Sequence, residues 1–134
     1  MALTEVTIDS VRCTIASPKR TIILKPKGKD LYLPIWVSQP QADILMAELT
    51  GESRISTVTG LFRSYSKEVK PRLEYVTVNM ERDIFYASLL ISSGGVSREV
   101  ELPIGEALAL GNREGAPILV EEELFDEVGV AWPS

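Results

Sequence analysis

Apolar residues fall into two runs of strand-like text, each followed by residues at helical spacing. Residues 4–16 alternate but slip in phase: Val6 and Ile8 share one parity, Val11, Cys13 and Ile15 the other, which predicts a bulge near Asp9-Ser10. Ser17-Pro18 marks a turn, and Ile22, Ile23 and Leu24 lie unbroken in a second strand from Thr21 to Lys25. Lys27-Gly28-Lys29-Asp30 is a polar hairpin turn into the next strand. There Leu31, Leu33, Ile35 and Val37 alternate with Tyr32, Pro34 and Trp36, so both faces are apolar. A strand of that kind is expected to be covered on both sides, by helices or by another subunit. Ser38 stands where an N-cap belongs and Pro40 falls in the first turn, where its missing N–H costs nothing. Ala42, Leu45, Met46 and Leu49 then recur at helical spacing down to Gly51, predicting a helix at about 39–50.

The second run begins after another helical pattern. Ile55, Val58, Phe62, Tyr65 and Val69 form one apolar seam, widened by Leu61 and ended by Pro71, predicting a helix over 54–69. Gly60 inside it costs about 1 kcal/mol against alanine. Leu73 to Asn79 and Ile84 to Ser92 read as a hairpin about Glu81-Arg82-Asp83. Beyond the Ser93-Gly94-Gly95 turn, Val96, Arg98, Val100 and Leu102 alternate with Ser97, Glu99 and Glu101, giving a strand with one wet face. A short helix over 105–114 carries Ala107, Leu108 and Leu110 and closes near Gly115. Pro117 to Val120 supplies one short strand, and Glu121, Glu122 and Glu123 start a last helical turn with Leu124 and Phe125. Acids at a helix start meet its partial positive charge, and consecutive helix positions point about 100° apart, so these three do not converge on one ion. The pattern predicts an α+β domain over 1–134, with a mainly antiparallel mixed sheet and about three packed helices.

Composition adds few exclusions. A chain of 134 residues buries one core, and 45% apolar with 25% charged residues is ordinary for a globular domain. No apolar run reaches the length of a membrane span, and the first ten residues lack the pattern of a signal peptide, so a cytoplasmic, non-membrane protein is expected. Cys13 is alone, which suits a reducing compartment, and reads as a small buried hydrophobe. There is no histidine. The net charge of −5 is unevenly spread: eleven basic face eight acidic residues before position 81, and three face eleven after it. Only the first part could offer phosphates a basic face, through Lys19, Arg20, Lys25, Lys27 and Lys29, and solvated charges around a hairpin explain that cluster more simply.

The stretch LYLPIWVSQPQA, Leu31 to Ala42, resembles the signature of the bifunctional nuclease family, also called the DNase-RNase domain. EALALGNREGAPILVEEELFDEVGV, Glu106 to Val130, is similar to that family's later strand-and-helix text, and VTVNMERDIFYASLLI, Val76 to Ile91, to its intervening strands. The resemblance implies a metal-dependent DNase/RNase with magnesium or manganese as cofactor if active. It places Glu106 and Arg113 as catalytic candidates, acid or base and phosphate clamp, and Gln39, Gln41 and Lys25 as substrate-binding candidates. No metal ligand is assigned; Glu114 lies about two helical turns from Glu106, too far to share an ion.

The departures from the family pattern fall at polar positions. Gln41 stands for the glutamate expected in the helix, the text Ser56 to Phe62 for a Thr-His pair, and Pro103-Ile104-Gly105-Glu106 for Arg-Pro-Ser-Asp. Histidine-based acid–base cleavage is closed to this chain, leaving carboxylates helped by Lys or Arg. Two functions stay open: a nuclease with a thinned site, or a non-catalytic oligomeric module that binds a protein or small-ligand partner. Surplus apolar surface on residues 31–37 and at Trp132 predicts a homodimer or higher homo-oligomer, with nucleic acid a weak partner.

Overall fold

The computed structural model describes residues 2–13, 19–51 and 72–131. The elements run β1 (Leu3–Cys13), β2 (Arg20–Pro26), β3 (Leu33–Val37), α1 (Gln39–Leu49), β4 (Arg72–Glu81), β5 (Ile84–Ser93), β6 (Val96–Leu102), α2 (Ile104–Glu114), β7 (Ile118–Glu121) and α3 (Glu122–Val128). The helix expected over 54–69, the Ser17-Pro18 turn and Trp132 lie outside the described residues.

The two predicted strand groups are halves of one seven-stranded sheet, ordered β3-β2-β1-β7-β4-β5-β6. Each half is an antiparallel meander that leads straight into a helix, β3 into α1 and β6 into α2. The short strand β7 joins the halves, antiparallel to β1 and parallel to β4. The sheet is therefore mixed but mainly antiparallel, in an α+β fold.

Local chemistry explains the boundaries. The register between β1 and β2 shifts between Ile8 and Ser10, the bulge that the change of phase requires. Ser38 is the N-cap of α1, although its hydroxyl makes no cap bond, and Pro40 occupies the first turn. The β4–β5 hairpin closes with Arg82 and Asp83 at φ 52° and 64°, and the β5–β6 hairpin with Gly94 and Gly95 at 59° and 83°. Two positive φ values in a two-residue loop match the right-handed twist of the flanking strands.

All three described helices lie on one face of the sheet. Val6, Ile22, Leu24, Leu33, Ile35, Val76, Val78, Ala87, Leu89 and Val120 meet Leu45, Ala107, Leu108, Leu110, Leu124 and Phe125 in one apolar cluster. The strands carry this inward set at every second position, as the pleat demands.

Among the described strands β3 stands at the edge of the sheet; on its second face Trp36 is 63% exposed, while Ile23 of β2, paired with Pro34, is buried. Tyr32, just before β3, exchanges backbone hydrogen bonds of 2.7 and 2.8 Å with Val130. Two expectations are corrected. Cys13 is exposed rather than buried, because it ends β1 at the margin of the sheet. β6 has no dry face over most of its length, since it is the opposite edge strand, and Val96 and Val100 are exposed beside Glu99 and Glu101.

Candidate functional site

Three of the groups singled out in the sequence, Gln41, Glu106 and Arg113, lie where α1 packs against α2. Gly105, in the first turn of α2, sits so close to Gln41 that a Cβ at this position would collide with the Gln41 carbonyl. That approach lets the Gln41 side chain reach across. Its Oε1 accepts the backbone N–H of Glu106 at 3.2 Å. The first N–H groups of a helix have no partner inside it, and Pro103, the N-cap of α2, offers no side-chain acceptor. Gln41 therefore caps α2 from the neighbouring helix. The Glu106 carboxylate is half-buried and makes no hydrogen bond or ion pair with any described residue.

Seven residues further along both helices lies the second contact. Arg113 donates from Nε to Glu48 Oε1 at 3.1 Å and from Nη2 to Glu48 Oε2 at 2.9 Å. Their side chains are 12% and 10% exposed, so the pair is nearly shielded from water. The remaining nitrogen, Arg113 Nη1, is buried without a hydrogen-bond partner. A fork–fork pair of this kind holds the guanidinium in one orientation. Nε and Nη2 are thereby committed to Glu48, and Nη1 is buried away from an incoming phosphate.

The substrate-binding candidates are dispersed. Gln39 opens α1 and is exposed, in a cavity of about 590 Å³ shared with Lys19, Trp36, Val37, Ser38 and Pro40. Lys25 has the parity of Ile23, opposite to the inward Ile22 and Leu24, and so points to the sheet face away from Glu106 and Arg113. Its ammonium lies 5.5 Å from the centre of the Tyr32 ring. Its neighbours Lys27 and Lys29 face Glu5 and Glu122 at 2.9 and 3.6 Å. These pairs consume part of the basic cluster's charge within the molecule.

The structure thus brings Gln41 to Glu106, ties Arg113 to Glu48, and separates Gln39 and Lys25 from both contacts. Glu48 was the residue missed. No signal in the sequence marks it: the equal seven-residue spacings, Gln41 to Glu48 and Glu106 to Arg113, acquire meaning only once the two helices are paired. The donor set does not fit a dedicated magnesium or manganese site. Among the described residues no three acidic, Cys or His side chains gather as metal ligands, and Glu48 is already engaged.

The bifunctional nuclease domain model matches residues 22–133, most of the chain and nearly all of the framework just described. The chain belongs to the bifunctional nuclease domain family. Two curated relatives, the uncharacterized proteins Rv1829 and MT1877 of Mycobacterium tuberculosis strains H37Rv and CDC 1551, are each 27% identical over 131 residues. Each alignment covers 96% of this chain and 78% of the relative. No described helix is long and apolar enough to cross a membrane.

Proposed function

We propose that this bifunctional nuclease domain has at most weak DNase/RNase activity and serves mainly as a non-catalytic, homo-oligomeric binding module in the cytoplasm. The observation that carries this reading is the engagement of Arg113 by Glu48. A transition-state clamp has to be free to meet developing charge, and this guanidinium is spent on joining two helices. Gln41 is likewise occupied as a helix cap. The exposed Trp36 on an edge strand supports association with a further copy.

Purified protein incubated with single-stranded DNA and RNA, with and without magnesium or manganese, tests the proposal by gel. The expected result is no cleavage above a protein-free control. Efficient metal-dependent cleavage would overturn it.

One observation favours the family's nuclease activity as a second reading. The Glu106 carboxylate has no partner among the described residues and stands at the start of α2, where a substrate could reach it. Under that reading, cleavage appears with metal and Glu106→Ala abolishes it while the fold stays intact.

A further inference from the structure

We infer that a recess on the sheet face away from the three described helices binds a linear organic polycation of the polyamine type. The recess has a volume of about 420 Å³ and is lined by Glu81, Tyr86, Ser88, Glu99 and Glu101. The strand register builds it. Ala87 and Leu89 of β5 point into the core, so Tyr86 and Ser88 point the other way. Ser88 is paired with Glu101 across the β5–β6 ladder and Leu90 with Glu99, which puts both acids on the same face. Val76 and Val78 of β4 point inward, so Glu81 joins them from the far side of β5.

Ser88 points to a ligand independently of the acids. It is 8% exposed, lines the recess, and its hydroxyl forms no hydrogen bond with any described residue. The residue is nearly buried but its hydroxyl is not sealed off, so the open side of the recess is where a donor could reach it. The acids are equally unengaged. Glu81, Glu99 and Glu101 form no ion pair with any described residue, whereas Glu5, Glu48, Glu74 and Glu122 each face a base. Arg98, between Glu99 and the turn, has the opposite parity and so faces away from the recess.

Spacing decides the class of cation. Glu99 and Glu101 are two residues apart on one strand, about 7 Å, and β4 and β6 stand two strand spacings apart, about 9.5 Å. A single metal ion needs its oxygen ligands gathered at about 2.0–2.6 Å, and among the described residues no three carboxylates are gathered in that way. A flexible chain with ammonium groups several bonds apart can bridge such a set. Its ammonium groups would face separate carboxylates, one N–H would reach the Ser88 hydroxyl, and the half-buried Tyr86 ring offers its face to a cation or to the methylenes between.

The test is calorimetric titration of the full chain with spermidine, at low salt and again at about 0.5 M salt. The expected result is saturable 1:1 binding that weakens with salt. E99Q/E101Q should lower affinity about tenfold or more, and Ser88→Ala about threefold, with unchanged thermal unfolding. The control pair E123Q/E127Q removes the same charge from exposed positions on α3 and should bind as the native chain does. No saturable binding up to about 1 mM would overturn the proposal. So would an equal loss in the control pair, which would mean general attraction to an acidic protein. A change in oligomer mass on E99Q/E101Q would also overturn it, assigning the acids to another copy of the chain.

Discussion

Arg113 holds Glu48 with the same chain offset, 65 residues, that separates Glu106 from Gln41. Two contacts at one offset mean that α1 and α2 run side by side in the same direction, pinned at points two helical turns apart, about 10 Å. One pin is a neutral cap and the other a shielded ion pair. Their energetics separate cleanly by substitution.

Arg113→Ala leaves the Glu48 carboxylate nearly buried and alone, and should destabilise the chain by about 3–5 kcal/mol. Arg113→Lys keeps the charge but not the fork, and should fall between the two. Replacing both Arg113 and Glu48 with methionine should cost far less than Arg113→Ala, because a shielded pair is often matched by apolar packing. Urea midpoints for the four proteins check this; an unchanged midpoint in Arg113→Ala would refute the pin.

Gln41→Ala removes the acceptor for the Glu106 N–H and should cost about 1 kcal/mol. Gln41→Glu keeps an acceptor and adds a negative charge beside the N-terminus of α2, worth about 0.3–1 kcal/mol in favour. It should therefore be at least as stable as the native chain, yet gain no cleavage in the gel assay. Recovered metal-dependent activity in Gln41→Glu would instead restore position 41 to the chemistry.

Two glycines of α2 should respond differently to alanine. At Gly105 the new methyl would strike the Gln41 backbone, which cannot rotate away, and a loss of about 3 kcal/mol is expected. At Gly111 it would meet the Val76 Cγ2 at 2.9 Å, a side-chain atom that can yield, and the gain in helix propensity of about 1 kcal/mol offsets part of the clash. Thermal unfolding should rank Gly105→Ala well below Gly111→Ala.

For association, light scattering of the native chain at micromolar concentration should return a multiple of 14.8 kDa. Trp36→Lys, on the exposed face of β3, should shift the mass toward a single chain without lowering the unfolding temperature. A native mass of one chain would remove the oligomer from the proposal.

The framework was legible because it is local. The phase slip at Asp9-Ser10 gave the bulge, Ser38 and Pro40 the start of α1, and Gly115, at φ 67°, the end of α2. What escaped involves partners remote in the chain. Nothing within four residues of Gln41 shows that its amide caps a helix 65 positions away, and Arg113 carries no mark of Glu48. Edge position was invisible for a similar reason. The alternation in β3 reports two apolar faces, but only the strand order reveals that Trp36 stands at the margin of the sheet. The Ser88 recess also depended on a pairing, β5 with β6, that put Glu101 directly opposite a nearly buried serine.

The four-residue strand β7 sits between β1 and β4, opposite residues such as Leu3 that lie more than a hundred positions earlier. During synthesis the two meanders therefore emerge as separate half-sheets, each with a raw inner edge. Those edges stay open until residues 118–121 leave the ribosome and slot between them. Closure over so long a loop is slow, and unpaired edges recruit neighbouring chains in the interval. Pulse-labelled hydrogen exchange during refolding should find the amides of β7 and of the facing side of β1 protected last, after both meanders have formed. A burst of aggregation at high chain concentration should shrink when refolding is diluted, because it competes with the arrival of a single short strand.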